Sequence, residues 1–171
     1  MAVLNMQYKD GGHVPEGVGL LISILVRYAE VGSIYYWQEE HALKFTFMLM
    51  GAADPKVLTD KLPLALEVFH GLAGQPMCLC EVKTHSEGNI HMLTIIRDVG
   101  SMTQNEVGLI VDLVKYEFKD SLVCDPTTLP EDELLFQEEL IGHMLDNVRD
   151  NEIDKNVVAV REEGRVLVFK N

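Results

Sequence analysis

The sequence predicts an α+β protein with a ferredoxin-like β-α-β-β-α-β core over about residues 43–124. Three observations predict it. The stretch Leu43 to Met50 alternates two faces with a period of two, as a strand does. Two helix-like stretches follow it, each with a recognisable start, and a two-strand stretch lies between them. A short apolar piece, Ser121 to Cys124, then closes the unit before Asp125-Pro126.

At 171 residues the chain suits a single domain over 1–171, with the core at 34–124 and a helix-hairpin appendage at 127–171. It is 47% hydrophobic and 24% charged, enough to bury a core without disulfides or metals.

Before the core, Ala2-Val3-Leu4 reads as a short strand, broken by Gly11-Gly12. Pro15 suits the first turn of a helix that runs to about Glu30, with Gly32 as its stop. Leu20, Leu21, Ile22, Ile24, Leu25 and Val26 leave that helix almost no polar side. A helix apolar all round is covered on more than one side, here by the sheet and by something else, with a second subunit one candidate. Ile34 to Trp37 is aromatic and strand-like, and Glu39-Glu40-His41 is its turn into the next strand.

In that next strand Leu43, Phe45, Phe47 and Leu49 share one face, and Lys44, Thr46, Met48 and Met50 the other. The second face starts polar and becomes apolar, so it should be covered at one end only. Asp54-Pro55 starts the first core helix, Pro63 threatens to kink it, and Gly71 and Gly74 end it. Val57, Leu58, Leu62, Leu66 and Phe69 form its expected core stripe. Met77–Thr84 and Ile90–Arg97 make a hairpin about Ser86-Glu87-Gly88-Asn89. Thr103 and Glu106 form a capping box for a helix whose stripe is Val107, Ile110, Val111, Val114 and Phe118.

Thr128 and Glu131 form another capping box, followed by a stripe of Leu134, Ile141, Met144, Leu145 and Val148. A hairpin, Val157–Val160 and Val166–Phe169, turns at Glu162-Glu163-Gly164. A second parsing is also open: helix-strand-strand recurs three times, starting near Pro15, Pro55 and Pro130, without repeating residues.

The net charge is -13, and it is uneven. Residues 1–85 carry 6 basic and 9 acidic side chains; residues 86–171 carry 8 and 18. Phosphate backbones and anionic lipid repel such a surface, so neither nucleic acid nor membrane is expected as a partner. The longest apolar run, Val18 to Val26, is too short to span a bilayer. Three cysteines, an odd number with two in an apolar run, suit reduced thiols in a cytoplasm.

Four residues offer the best candidate for chemistry. Cys78 and Cys80 share a face of the expected strand, and His85 and His91 flank the following turn. Thiolate and imidazole are zinc ligands, although a strand-borne Cys-Leu-Cys departs from the usual C-x₂₋₄-C turn. Buried cysteines acting as small hydrophobes are the ordinary alternative. Glu39, Glu40 and His41 offer a carboxylate beside an imidazole, but no nucleophile is placed to meet them. Asp150 to Asn156 alternates oxygen side chains like a calcium loop, but Lys155 stands where glycine is needed and Arg161 where glutamate is. No HExxH, GxSxG or glycine-rich phosphate loop occurs, and no motif requires a cofactor.

The expected function is therefore association rather than catalysis: a homodimer, or a protein that binds a small ligand or a protein partner. Methionine suits forgiving contact surfaces. Met48 and Met50, with Leu21 and Leu25 of the first helix, are the expected interface. The alternative is a metal- or thiol-dependent activity at Cys78, Cys80, His85 and His91.

Overall fold

Three β-hairpins lie side by side in one sheet, each preceded by a helix. A computed structural model describes residues 16–125 and 129–170. The elements are α1 (Glu16–Arg27), β1 (Ser33–Trp37), β2 (Ala42–Met50), α2 (Val57–Ala73), β3 (Cys80–Glu87), β4 (Ile90–Asp98), α3 (Gln104–Phe118), α4 (Glu131–Asp150), β5 (Val157–Glu162) and β6 (Arg165–Lys170). The sheet is antiparallel throughout, in the order β3-β4-β2-β1-β5-β6. The expected strand at Ala2–Leu4, the helix start at Pro15 and the Thr128 half of a capping box lie outside the described residues.

The fold is thus α+β with a six-stranded sheet, and helix-strand-strand occurs three times, with α3 interposed. The closing strand of the expected ferredoxin-like core is only a bridge between Leu49 and Leu122, with the Val123 N–H donating to the Met48 carbonyl at 2.8 Å. β1 occupies the rest of that edge, pairing Ser33 to Trp37 against Thr46 to Ala42 through the tight turn at Gln38 to His41.

Alternation along each strand sorts the side chains onto two faces. One face carries Ile34, Tyr36, Leu43, Phe45, Phe47, Leu49, Leu93, Ile95 and Ala159, all fully buried. α1 and α2 pack against this side, and α3 adds Val107, Ile110, Val111, Val114 and Phe118 to the same core.

The all-apolar α1 is explained within the chain. α4 packs across it with Ile141, Leu145 and Val148. Leu21 and Leu25 are therefore fully buried in the chain's own core and present nothing to a second copy, which corrects their expected place at an interface. Arg161 holds the end of this helix. Its Nη2 donates to the carbonyls of Tyr28 (3.0 Å) and Val31 (3.2 Å), and also to Leu25, tying the last turn of the helix to the turn that follows it.

α2 runs through Pro63 without a break. It ends at Gly74, whose φ of 74° is the left-handed cap that a side chain disfavours. Its buried stripe is Leu58, Leu62, Leu66 and His70. Leu58, Leu62 and Leu66 are as expected, but Val57 is exposed and Phe69 only half-buried, so the stripe ends on His70 instead.

Candidate functional site

The other face of the sheet has no helix over it among the described residues. On β2 it presents Lys44, Thr46, Met48 and Met50, and on β4 it presents Ile90, Met92, Thr94 and Ile96, the last of these buried. Met50 is 54% exposed, Ile90 48% and Phe169 56%. Across the sheet, Tyr35 and Trp37 of β1 lead to Val158 and Val160 of β5 and to Leu167 and Phe169 of β6. Lys44 lies over the rings of Trp37 (4.2 Å) and Tyr35 (5.3 Å), a cation–π cover for the middle of the face. Sequence alternation placed Met48 and Met50 correctly, but the apolar end expected to be covered is the open one. There the face deepens into a cleft of about 300 Å³ between Met48, Met92, Val123 and Arg161.

A second exposed apolar strip runs along α2. Leu64, Val68 and Leu72 recur every four residues on the side away from the core, and Leu72 is 87% exposed.

Among the described residues, a dense group of ionisable side chains is buried at the junction of α2, β4 and α3. Arg97 and Glu106 are both 0% exposed. Arg97 Nε donates to Glu106 Oε2 at 2.6 Å and Nη2 to Oε1 at 2.8 Å, a two-pronged pair. Nη1 donates to the Leu79 carbonyl at 2.6 Å and to Asp98, and Nη2 to Ser101 Oγ at 2.9 Å. Asp98 also accepts from the N–H groups of Leu79 (2.9 Å), Cys78 (3.2 Å) and Ser101 (2.9 Å). His70 joins through Nε2 to Glu106, and its Nδ1 lies 3.0 Å from the Gln75 carbonyl.

The electrostatics follow. Burial opposes the Arg97 charge, but the bonds and charge of Glu106, then of Asp98, outweigh it and hold the guanidinium more firmly protonated than usual. Burial also pushes the Asp98 carboxyl up; the Leu79 and Ser101 hydrogen bonds and the Arg97 charge more than reverse this and hold it below the usual carboxylate range. Beside the cluster lies an open groove of about 420 Å³ bounded by Glu67, His70, Gly74 and Met77. Both nitrogens of His70 are already engaged, so the imidazole has none to offer a substrate there. The cluster is a clamp that ties α2, β4 and α3 together.

Sequence reasoning missed this clamp, although a signal was available. Arg97 continues the inward phase of Leu93 and Ile95, and an inward-pointing arginine has to be met by buried acids. The capping box at Thr103 is half formed for the same reason. Thr103 Oγ1 accepts from Glu106 N–H at 3.2 Å, but the Glu106 carboxylate turns to Arg97 and His70 instead of reaching back.

The four thiol and imidazole residues do not converge. Cys78 is exposed and precedes β3, so it does not share a strand face with Cys80. Cys80 points to the helix side opposite Arg97, whereas His85 is on the open side, paired with Met92. The five-residue separation of Cys80 and His85 along β3 is about 17 Å. His91 is held by Ser86 Oγ (2.7 Å) and the Gly51 carbonyl (2.9 Å). Burial pushes the thiols of Cys80 and Cys124 up, the reverse of a reactive cysteine. Among the described residues no group of three or more His, Cys, Asp or Glu is placed to hold a metal ion, the Asp150–Asn156 stretch included.

Glu39 and Glu40 are exposed, while His41 turns inward to put Nδ1 2.6 Å from the Tyr36 hydroxyl. No described helix is long and apolar enough to cross a membrane. Comparison with models of protein families, with curated proteins and with solved structures finds no match.

Proposed function

We propose that this protein works by association, through the open face of its sheet, and not by catalysis. The observation that supports the reading is that face itself. Natural antiparallel sheets leave one face to water when it is polar, and alternate accordingly. Here methionine, isoleucine, valine, tyrosine, tryptophan and phenylalanine take many of the positions that should be polar, interspersed with Lys44, Thr46 and Thr94. Apolar side chains gathered on an uncovered sheet face in this way mark an interaction site. Methionines at one end supply side chains that adapt to more than one shape.

The setting that goes with this reading is the cytoplasm, where Cys78, Cys80 and Cys124 stay unpaired thiols. In topology, the part of the sheet that carries the methionines is read as a ferredoxin-like unit. What supports this is that β4 lies between β2 and β3, with α2 as the crossover and the Leu122 bridge at the far edge.

The test uses Trp37, the single tryptophan of the chain, which lies on this face. Energy transfer from Trp37 to an anilinonaphthalene dye is measured with the chain diluted until light scattering reports a monomer. Transfer is expected, and Met92→Asp or Phe169→Asp should abolish it. Absence of transfer from the parent chain refutes the reading.

A further inference from the structure

We infer that the occupant of the open sheet face is a second copy of this chain, packed sheet face to sheet face. This rests on the docking reading above and names its partner.

Area is the first argument. Six strands about 4.8 Å apart, each five to nine residues long at about 3.3 Å per residue, present a face of roughly 650 Å². Two copies would then bury roughly 1,300 Å² in all, inside the range of stable specific interfaces. The α2 strip is one helix wide. At about 25 Å by 10 Å it offers less than half of that.

Charge is the second argument. Two chains of net charge -13 repel wherever their acid surfaces meet. α4 opens with Glu131, Asp132 and Glu133 and continues through Glu138, Glu139 and Asp146, so it is the wrong place for self-association. The sheet face is locally balanced. Lys44, Lys83 and Arg165 stand against Glu81, Glu87 and Glu162. Self-association meets least repulsion there.

The third argument is symmetry. A two-fold contact needs a surface that carries its own complement. Met48, Met50, Ile90 and Met92 lie near one corner of the face, at the end of β2 and the start of β4, one strand in from the edge strand β3. Val158, Val160, Leu167 and Phe169 occupy the diagonally opposite corner, on β5 and β6. A two-fold axis lying along the other diagonal sets each corner on its counterpart in the second copy. The strands of the two sheets then cross at a steep angle, the orthogonal mode of sheet packing. Flexible methionines meet branched and aromatic side chains at both ends, and the Lys44–Trp37–Tyr35 cluster sits near the axis.

Sedimentation velocity of the full chain over a range of micromolar concentrations, with acrylamide quenching of Trp37 followed in parallel, tests this. The expected result is a reversible dimer in which Trp37 becomes protected as the dimer forms. Met50→Asp and Phe169→Asp should each weaken the dimer tenfold or more. Both side chains are more than half exposed in the single chain, so both variants should keep the parent melting temperature. A dimer indifferent to both substitutions overturns the inference and moves the contact to Leu64, Val68 and Leu72. A monomer with Trp37 shielded at every concentration overturns it too, and assigns the cover to the chain's own residues outside those described. A monomer with an accessible Trp37 that still transfers energy to the dye overturns the second copy alone and leaves docking standing. Without that transfer, both readings fail.

Discussion

Replacing Arg97 with methionine removes the cation at the centre of the buried clamp but keeps a long apolar side chain to fill its volume. Glu106 Oε2 then loses its guanidinium partner, and Oε1 keeps only His70. Asp98 fares better, because the N–H groups of Leu79, Cys78 and Ser101 still reach it. The damage is concentrated in one carboxylate that is 0% exposed. Removing one partner of a buried ion pair costs about 3–5 kcal/mol, because the other charge stays behind without compensation. A domain is stable by only about 5–15 kcal/mol, so Arg97→Met should take away about a fifth of the total or more. In a chain of this length that is a fall of roughly 6–20 °C in Tm.

The second arm of the same experiment separates lost charge balance from lost packing. Glu106→Gln in the Arg97→Met background removes the stranded charge, so the double variant should be more stable than the sum of the two single losses by at least about 1 kcal/mol. Urea denaturation followed by circular dichroism measures all three variants, with the midpoint moving and the slope unchanged. A loss below about 1 kcal/mol for Arg97→Met, or strict additivity of the pair, refutes the clamp as described.

Acid should expose the same cluster by another route. The Asp98 carboxyl is held below its usual range in the folded chain, so its contribution is present above the unfolded value of about 3.9 and is lost as pH falls through the folded value. Urea midpoints of parent and Asp98→Asn should therefore differ at neutral pH and converge below about pH 4; parallel curves would contradict the assignment. At the end of α2, Gly74→Ala should cost about 1 kcal/mol, since φ is 74° and the added methyl meets open space, so only backbone conformation is penalised. A thermal melt unchanged by that substitution would show that the helix end adjusts freely. Alkylation followed by mass spectrometry should modify the exposed Cys78 first and Cys80 late, because burial keeps the Cys80 thiol protonated. Early modification of Cys80 would return the thiol reading to consideration.

Local signals carried most of the fold. Asp54 Oδ1 accepts from the Lys56 N–H at 3.1 Å, so the Asp54-Pro55 start is real, although the helix proper opens at Val57. The α3 stripe is buried at all five expected positions. Two-residue turns at Gly88-Asn89 and Glu163-Gly164 set two of the hairpins. Strand order was not legible, because which hairpin pairs with which is decided by long-range packing and not by local pattern. β1 and β5 are neighbours although more than a hundred residues separate them, and nothing in either strand announces the other. The expected closing strand failed on the same ground. Its four residues look like strand, but β1 holds most of the edge of β2 and leaves room for the Leu49–Leu122 bridge alone.

The misplaced interface shows how a sound rule can be applied to the wrong helix. An all-apolar helix does need a second cover, and α1 has one in α4, an element from the far end of the sequence. In sequence α2 reads as an ordinary amphipathic helix with one stripe, Val57, Leu58, Leu62, Leu66 and Phe69. Yet Leu64, Val68 and Leu72 stand opposite Leu58, Leu62, Leu66 and His70, so α2 is the helix whose second apolar side stays open. The surplus apolar surface that argued for association was real, and it lies on the sheet and on α2 instead of on α1. Covering either surface would bury side chains that the single chain leaves in water, at roughly 25 cal/mol for each Å² of apolar area. The sheet offers more than twice the area of the α2 strip and balanced charge besides. It is the surface whose occupation would change the stability of this protein most.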